Sequence, residues 1–326
     1  MQIGDNIAIT GAAGFIGSYL AGYLNQLGYE NLILVDDFSK DEKAPNLEGK
    51  RYLHKIDRNE FFGWYAQHPD EVQYMFHLGA RTDTAEMDYE VFRTLNLEYS
   101  KKIWELCTKN NIPLVYASSA ATYGNGEHGY SDSIEDVTTL QPLNPYGISK
   151  NEFDIWALLQ EHTPPTWAGV KFFNVYGPNE YHKGRMASVV FHAYRQIKET
   201  GQVKLFRSHN PEFKDGEQMR DFIYVRDIVR ICVWLMVQPP GKGLYNAGTG
   251  KARTFKDLVK AIFKTLRKPE NIVYVDTPKD IRDKYQYYTQ ADMHKFLQGG
   301  YDRPFCTIEE GIREYVSFYL ETNRRF

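Results

Sequence analysis

The sequence predicts an α/β fold, a doubly wound parallel sheet with a smaller region formed mostly by the C-terminal part of the chain. Two observations support this prediction. Short apolar, β-rich runs alternate with helical patterns over the first half of the chain, and a glycine-rich turn follows the first run. Such βαβ repetition gives a parallel sheet with helices on both faces, and right-handed crossovers make it doubly wound.

The predicted strands are separated by segments long enough for helices. They cover residues 7–10, 32–35, 52–56, 74–78, 114–117 and 170–175. Two later runs, 222–225 and 244–247, are predicted to be strands that return to the same domain.

The pattern changes after Gly177, where segments become longer, more irregular and rich in Tyr, Arg and Pro. This is expected where a second region closes over the carboxyl ends of the strands. We therefore predict a first domain of residues 1–176 with 222–249, and a second region of residues 177–221 with 250–326.

Composition excludes several classes of protein. The chain has 326 residues, 42% hydrophobic and 25% charged, which is enough for a sizeable core. Its net charge of −3 gives no basic surface for nucleic acids or anionic membranes, so neither is an expected partner. The cysteines Cys107, Cys232 and Cys306 lack metal-ligand spacing, which predicts a reducing compartment and no metal site. With no visible signal peptide, we predict a cytoplasmic location.

A glycine turn follows the first predicted strand. Gly11, Gly14 and Gly17 have the spacing Gly-x-x-Gly-x-x-Gly, with Phe15 and Ile16 between the last two. Small residues allow the backbone to approach a phosphate closely, and the helix N-terminus that follows attracts negative charge. The turn therefore predicts a dinucleotide site of the Rossmann type, because it lies between a strand and a helix.

Two acidic residues end the second strand and bear on the choice of cofactor. Asp36 and Asp37 come about 20 residues after the glycine turn, where an acidic side chain binds the ribose hydroxyls of NAD. Lys40 and Lys43 follow and could instead neutralise the 2'-phosphate of NADP.

The segment 144–150, Asn-Pro-Tyr-Gly-Ile-Ser-Lys, sets a phenol and an ammonium group one helical turn apart. A fixed cation near Tyr146 would favour its phenolate and so help it to take a proton from an alcohol. We predict that Tyr146 is the acid/base of an alcohol-oxidising enzyme and that Lys150 supports it.

Two further segments, 77–80 and 117–124, lie at the ends of the fourth and fifth strands. Ligands of open parallel sheets bind at these carboxyl ends. Ser119 is placed to hydrogen-bond a reacting hydroxyl and the carbonyl that develops from it, so we predict a catalytic role for it.

Together these motifs resemble the extended short-chain dehydrogenase/reductase family, whose members act mostly on nucleotide sugars. The similarity covers nearly the whole chain. Ala120 and Ala121 stand where related 4,6-dehydratases have an Asp-Glu pair, which argues against dehydration. The segments that are most similar to the branch acting on an ADP-linked heptose are 116–124, 173–178, 182–184 and 288–292.

The resemblance implies an epimerase that oxidises and re-reduces carbon 6 of the sugar, a homo-oligomeric assembly, and NADP as cofactor with NAD possible. Lys183 matches the family's second acid/base. The implied cofactor site, with the glycine turn, is Gly11, Gly14, Phe15, Ile16, Gly17, Asp36, Asp37, Lys43, Arg58, Leu78, Gly79, Ala80, Arg81, Thr82, Asn96, Tyr146, Lys150 and Val175. The implied substrate site is Ser119, Asn174, His192, Phe206, Arg220 and Tyr285.

The sequence departs from the family at two places. Arg185 stands where serine is usual, and the segment 207–219 is longer than usual. Because Arg185 follows Lys183 by two residues, we predict that it contacts the substrate.

Two alternative functions remain open beside the epimerase: the protein could be another nucleotide-sugar epimerase or reductase of the superfamily, or a non-catalytic NAD(P) sensor.

Overall fold

A computed structural model of the chain describes residues 2–278, 282 and 285–326. Its centre is a seven-stranded parallel sheet with the strand order β11-β6-β5-β4-β1-β2-β3. The predicted doubly wound α/β fold is therefore confirmed. The strands of this sheet are β1 (Ile7–Thr10), β2 (Leu32–Asp36), β3 (His54–Asp57), β4 (Tyr74–His77), β5 (Leu114–Ser119), β6 (Trp167–Phe172) and β11 (Gly243–Ala247).

Helices cover both faces of the sheet. The α-helices in the described part of the chain are α1 (Phe15–Gln26), α2 (Phe61–Gln67), α3 (Tyr89–Phe92), α4 (Tyr99–Lys109), α5 (Pro145–Leu158), α6 (Val189–Thr200), α7 (Val225–Val237), α8 (Phe255–Thr265), α9 (His294–Gln298) and α10 (Ile308–Glu314). Segments Arg93–Glu98 and Tyr315–Leu320 are π-helical. No helix in the described part of the chain is both long and apolar enough to cross a membrane.

The core is divided by the sheet into two apolar clusters. Ile7 and Ile9 of β1 pack into one cluster, with residues of α1 and α7. Ala8, between them, packs into the other cluster with Trp104 and Phe153 of α4 and α5. Successive side chains of a strand point to opposite faces, so a continuous apolar strand buries both of its faces.

The strand order reverses at β1, which pairs with β2 on one side and with β4 on the other. The connections from these strands then run to opposite faces of the sheet, which leaves a crevice at their carboxyl ends. The glycine turn and the segment after β4 both lie at this position.

The run predicted as one strand at 170–175 is two strands. β6 ends at Phe172, and β7 (Asn174–Tyr176) leaves the main sheet to pair with β10 (Phe222–Tyr224). Of the two runs predicted to return to the first domain, only β11 joins the main sheet, beside β6. This break brings Asn174 out of the sheet, and its side chain is exposed.

Two short pairs of strands complete the structure. β8 (Val203–Phe206) pairs in parallel with β13 (Ile272–Val275), and β9 (Met219–Arg220) pairs with β12 (Arg253–Thr254) in the antiparallel sense. Asp221, which lies between β9 and β10, is buried. Its carboxylate accepts hydrogen bonds from the N–H groups of Thr249, Gly250 and Ala291 and so connects β9 to the segments that contain these residues.

A buried ion pair lies beneath the carboxyl end of β5. Lys171 Nζ on β6 is 2.8 Å from Asp154 Oδ2 on α5, and both side chains are fully buried. Ser118 Oγ donates to Asp154 Oδ2 at 2.6 Å, Tyr116 Oη donates to Oδ1 at 3.0 Å, and Lys171 also donates to Thr122 Oγ1 at 2.8 Å. The pair therefore joins β5, β6 and α5 through groups that are all hydrogen-bonded.

We expect Lys171→Met to lower the free energy of unfolding by about 3–5 kcal/mol, because it leaves the Asp154 carboxylate buried without its cation. Urea unfolding would measure the loss. Lys204→Met, at an exposed position on β8, is the control and should change stability by less than about 0.5 kcal/mol. Adding Asp154→Asn to Lys171→Met should recover part of the loss; a single variant as stable as the control would contradict the expectation.

Candidate active site

The glycine turn is closely fitted to the neighbouring strand end. Gly11 has a φ of +70°, and a Cβ there would lie 2.7 Å from the Gly79 Cα atom. A Cβ on Gly17 would lie 2.2 Å from the carbonyl oxygen of Gly11. Within the described residues, no side chain caps α1 at Gly14, so the amides of its first turn face the crevice. The turn thus has the backbone approach and the helix N-terminus that a pyrophosphate needs.

Asp36 is bound by the protein itself. Its Oδ2 accepts the Ala13 N–H at 2.8 Å, and its Oδ1 accepts the Asp37 N–H at 2.7 Å and Lys43 Nζ at 2.9 Å. The side chain is buried. Asp36 therefore holds the glycine turn against β2, beside any contact that it makes with a ribose.

Asp37 points into the same region with a different set of partners. Ser39 donates its hydroxyl at 2.5 Å and its N–H at 3.2 Å to Asp37 Oδ1, and Arg58 Nη2 is 3.5 Å from Oδ2. The hydrogen bonds from Ser39, followed by the charges of Arg58 and Lys40, lower the pKa of Asp37. The ribose end of the site thus combines a carboxylate with several cations.

A cavity of about 410 Å³ lies over these residues. It is lined by fourteen of the residues predicted for the cofactor and by Lys183, which was predicted for catalysis. The predicted cofactor residues in its wall are Gly11, Gly14, Phe15, Ile16, Gly17, Asp36, Asp37, Lys43, Arg58, Leu78, Gly79, Ala80, Arg81 and Thr82. Asn96, Tyr146, Lys150 and Val175 are not among its lining residues.

Asp83, Tyr99 and Met186 also line the cavity, although the sequence analysis did not indicate them. Asp83 directly follows the predicted run 78–82, so extending that run by one residue would have found it. Tyr99 lies on α4 and donates its hydroxyl to the carbonyl oxygen of Arg58 at 3.1 Å. No motif marks Tyr99 or Met186, because their positions depend on how distant segments pack.

Asn96 lies just behind the cavity wall, in the π-helical segment after α3. Its Oδ1 accepts the Arg81 N–H at 2.8 Å, and its Nδ2 donates to the Arg81 carbonyl at 3.0 Å and to Ser149 Oγ at 3.1 Å. The buried amide therefore connects the segment after β4 with α5.

His77, at the end of β4, is a structural residue. Its two ring nitrogens are hydrogen-bonded to Thr10 Oγ1 at 2.6 Å and to Ser100 Oγ at 2.8 Å. Burial, assisted by the positive charge of Lys150, lowers the pKa of His77 to about 3. The ring therefore stays neutral and joins β4 to β1 and α4.

The structure brings Tyr146, Ser119 and Lys150 together. Asn144 Oδ1 accepts the Gly147 N–H at 2.9 Å and so starts α5 with Tyr146 in its first turn. Tyr146 is half-buried and hydrogen-bonded to Ser119, and Lys150 Nζ donates to the carbonyl oxygen of Ala117 at 2.8 Å.

The electrostatics of this group differ from the expectation. Burial raises the pKa of Tyr146, against the lowering effect of its hydrogen bond with Ser119, and it lowers the pKa of Lys150 to about 8. Burial thus outweighs the other influences on both groups, and the net shift of the Tyr146 pKa is upward.

Lys183 approaches the cavity from the second region. It lies in the 3₁₀ turn Tyr181–Met186, and its Nζ is 5.6 Å from the centre of the Phe15 ring on α1. Burial lowers the pKa of Lys183, and the nearby Glu180 opposes this shift. A lower pKa brings proton exchange by a lysine closer to neutral pH.

Arg185 makes an ion pair with Asp83, which lines the cavity. Its Nη2 is 2.9 and 3.0 Å from the two carboxylate oxygens of Asp83, while its side chain is 66% exposed. His192 Nε2 is 3.3 Å from the carbonyl oxygen of Arg185. These two predicted substrate residues thus lie together.

Arg220, Tyr285 and Phe206 form a second group of predicted substrate residues. The Arg220 guanidinium lies 5.6 Å from the Tyr285 ring, which makes an edge contact with Phe206. Arg220 is buried and donates to the main-chain oxygens of Met219 and Gln286, and none of the acidic side chains in the described ranges pairs with it. A buried cation with no counterion among the described residues favours an anionic ligand.

Comparison with known proteins agrees with this geometry. The chain matches the NAD dependent epimerase/dehydratase family over residues 7–248. It is 44% identical to an ADP-L-glycero-D-manno-heptose-6-epimerase of Fusobacterium nucleatum, over 96% of this chain and 98% of that protein. It is 45% identical to one of Nitratidesulfovibrio vulgaris, over 96% and 97% of the two chains.

Solved structures are similar over almost the entire chain. The Helicobacter pylori ADP-L-glycero-D-manno-heptose-6-epimerase superposes with a TM-score of 0.79 at 27% identity, covering 97% of this chain and 96% of that one. The UDP-glucose 4-epimerase of Thermotoga maritima has the same TM-score of 0.79 at 25% identity, with 98% and 100% covered. The chain therefore belongs to the NAD dependent epimerase/dehydratase family, and within it to the group of the ADP-L-glycero-D-manno-heptose-6-epimerases.

Proposed function

We propose that the protein inverts carbon 6 of ADP-D-glycero-D-manno-heptose to give ADP-L-glycero-D-manno-heptose, which supplies heptose for the lipopolysaccharide core. The observation that carries this proposal is the 44% identity with a named epimerase across 96% of the chain. A product assay with the D-glycero substrate tests it, since the L-glycero product distinguishes this activity from that of a 4-epimerase, a reductase or a non-catalytic sensor.

The residues around the glycine turn fit NAD(P). The turn accepts no Cβ at Gly11 or Gly17, α1 offers its uncapped N-terminus, and the cavity extends from there to Asp37 and Arg58. When bound, NAD(P) would take a hydride from carbon 6 and return it, so that no net oxidant is needed. We propose NADP as the preferred cofactor and NAD as an alternative, because Lys40, Lys43 and Arg58 line the ribose end.

The chain's own groups would move protons and orient the sugar. Tyr146 would take the proton of the carbon 6 hydroxyl, with Ser119 donating a hydrogen bond to the same oxygen. Lys150 would support Tyr146 from one helical turn away. Carbon 6 lies outside the pyranose ring, so rotation about the bond between carbons 5 and 6 presents its other face. Lys183 would exchange the proton on that second face.

The nucleotide end of the substrate would lie beside the second region. Arg220 would bind the diphosphate, because it is a buried cation whose partners are main-chain oxygens. Tyr285 and Phe206 would contact the nucleoside, Asn174 would hold the sugar, and Arg185 with His192 would contact the substrate at the cavity mouth.

We also propose that the chain has the two functional units predicted from the sequence. Residues 1–176 with 222–249 would bind the cofactor, and residues 177–221 with 250–326 would bind the substrate; the pairing of β11 with β6 supports the first of these units. We further propose a homo-oligomer in the cytoplasm. The free state of Cys107, Cys232 and Cys306 fits a reducing compartment.

We expect Tyr146→Phe to fold normally and to lose about 10²- to 10⁴-fold in turnover, since the ring still packs while the titrating hydroxyl is absent. Steady-state rates and circular dichroism check both parts. Tyr52→Phe, at an exposed position outside the site, is the matched control and should retain full activity. Near wild-type turnover in Tyr146→Phe would remove this residue from the mechanism.

We expect the purified protein to release mainly NADP on denaturation, with some NAD. Arg58→Ala should lower the ratio of NADP to NAD about tenfold, the effect of losing one charge-assisted contact. Lys55→Ala is the control, because Lys55 lies on β3, which ends just before Arg58, and is not among the residues that line the cavity. Release of NAD alone from the wild-type protein would overturn the proposed preference; chromatography of the released nucleotides measures it.

We expect Arg185→Ser to raise the Michaelis constant about tenfold with little change in turnover, if the guanidinium binds substrate equally in ground and transition states. Asp83→Asn separates this role from a structural one, because it frees Arg185 from its ion pair. The Michaelis constant of Asp83→Asn should stay the same or fall. An equal increase of the Michaelis constant in both variants would mean that Arg185 acts through its ion pair with Asp83 and does not contact the substrate.

A further inference from the structure

Residues 324–326, called the tail here, lie against the elements that carry the site. The ring of Phe326 stacks on Tyr19 of α1, with centroids 3.9 Å apart and planes inclined by 10°. Tyr19 is fully buried by these and other contacts. The tail thus packs directly on the helix whose first turn forms part of the cofactor cavity.

The main chain of Phe326 is also bound specifically. Its N–H donates to Asn179 Oδ1 at 2.9 Å, and Asn179 Nδ2 donates back to the Phe326 main-chain oxygen at 3.2 Å. Lys50 Nζ donates to the same oxygen at 2.5 Å. Asn179 is completely buried and has a φ of +77°, a conformation that asparagine adopts more readily than most residues. These contacts therefore hold the main chain of Phe326 through specific hydrogen bonds.

A second set of contacts joins the tail to the turn that carries Lys183. Tyr181 Oη donates to the Arg324 carbonyl at 2.8 Å, and the Arg325 guanidinium lies 5.1 Å from the centre of the Tyr181 ring. Tyr181 is the first residue of the turn Tyr181–Met186. The tail consequently holds this turn on the N-terminal side of Lys183.

The same segment is tied to the glycine turn. Asn46 Nδ2 donates to the Ala13 carbonyl at 3.0 Å and to the Asn179 carbonyl at 3.1 Å. Asn179 Nδ2 also donates to Ser18 Oγ on α1 at 3.0 Å. Tail, glycine turn and Lys183 turn therefore form one connected group, in which Asn179 is the shared member.

We propose that the tail is a positioning element for Lys183: docking of Phe326 between α1 and Asn179 holds the turn Tyr181–Met186 so that Lys183 faces the cofactor cavity. This inference rests on the proposed function, in which Lys183 exchanges the proton on the second face of carbon 6. Phe326 is a positioning residue and touches neither substrate nor reacting atoms.

A positioning role for the tail and a general stabilising role predict different effects on the two epimers. Tyr146 and Lys183 would each serve one face of carbon 6, and hence one epimer in the first oxidation step. A change that disturbs only Lys183 should slow that step for one epimer and spare the other. A general loss of stability would affect both epimers alike.

The variant Phe326→Ala tests this, with Phe318→Ala as the matched control, because Phe318 lies in the preceding segment and is 65% exposed. The first readout is independent of activity: hydrogen exchange of the amides in residues 180–186, measured by mass spectrometry on the purified protein. We expect about tenfold faster exchange there in Phe326→Ala and no change in Phe318→Ala. Unchanged exchange in Phe326→Ala overturns the proposal, whatever the substrate of the enzyme is.

The second readout is the first-turnover rate of oxidation with each purified epimer of the ADP-heptose. Lys183→Met identifies the epimer that depends on Lys183. Phe326→Ala should slow oxidation of that epimer by at least about tenfold, since misplacing a catalytic group by about 1 Å can cost about a hundredfold. The other epimer should react within about twofold of the wild-type rate. Equal slowing of both epimers overturns the positioning role.

If Phe326→Ala fails to fold, Tyr181→Phe replaces it. This variant keeps the ring and removes only the hydrogen bond to Arg324. We therefore expect oxidation of the Lys183-dependent epimer to slow about threefold, while oxidation of the other epimer keeps its rate. Equal rates for the two epimers in this variant overturn the proposal. A wild-type protein that interconverts neither epimer overturns the proposed function instead, and the hydrogen-exchange result still decides whether the tail holds the turn.

Discussion

The buried pair of Asp154 and Lys171 is the interaction on which the catalytic side of the molecule depends. Ser119 ends β5 and Tyr146 begins α5, and the polar group that lies beneath them joins these two elements. Asp154 is one helical turn beyond Lys150, so the carboxylate that binds Lys171 also determines the rotation of α5. Burying charge is costly, but here it specifies one orientation of the helix, since every partner is hydrogen-bonded.

The cavity is built by several segments that are distant in the chain, and buried amides set their spacing. Asn96 fixes the segment after β4 to α5, and Asn46 fixes the glycine turn to the segment before Lys183. Asn46 donates to main-chain oxygens on both sides, whereas Asn96 bonds the Arg81 main chain and the Ser149 hydroxyl. The glycine turn and the segment before Lys183 are therefore held relative to each other through hydrogen bonds.

The parts of this structure that follow local rules were predictable from the sequence. The strands of the main sheet and the glycine turn are marked by periodicity and by small residues, and they lie where expected. The break at Phe173 was not predictable, because an apolar run has the same appearance whether it forms one strand or two. Arg185 pairs with Asp83, and Phe326 is hydrogen-bonded to Asn179; both contacts join residues more than 100 positions apart. No pattern in a single sequence indicates such contacts.

Asp36 illustrates how a residue can look like a specificity determinant and yet belong to the scaffold. A carboxylate offers about four acceptor positions, and three of them are occupied by Ala13, Asp37 and Lys43. Replacing Asp36 to alter the choice between dinucleotides would release the glycine turn before it changed any contact with a ribose. Attempts to re-engineer the cofactor should therefore begin at Asp37 and Arg58, where side chains can be exchanged while the turn keeps its anchor.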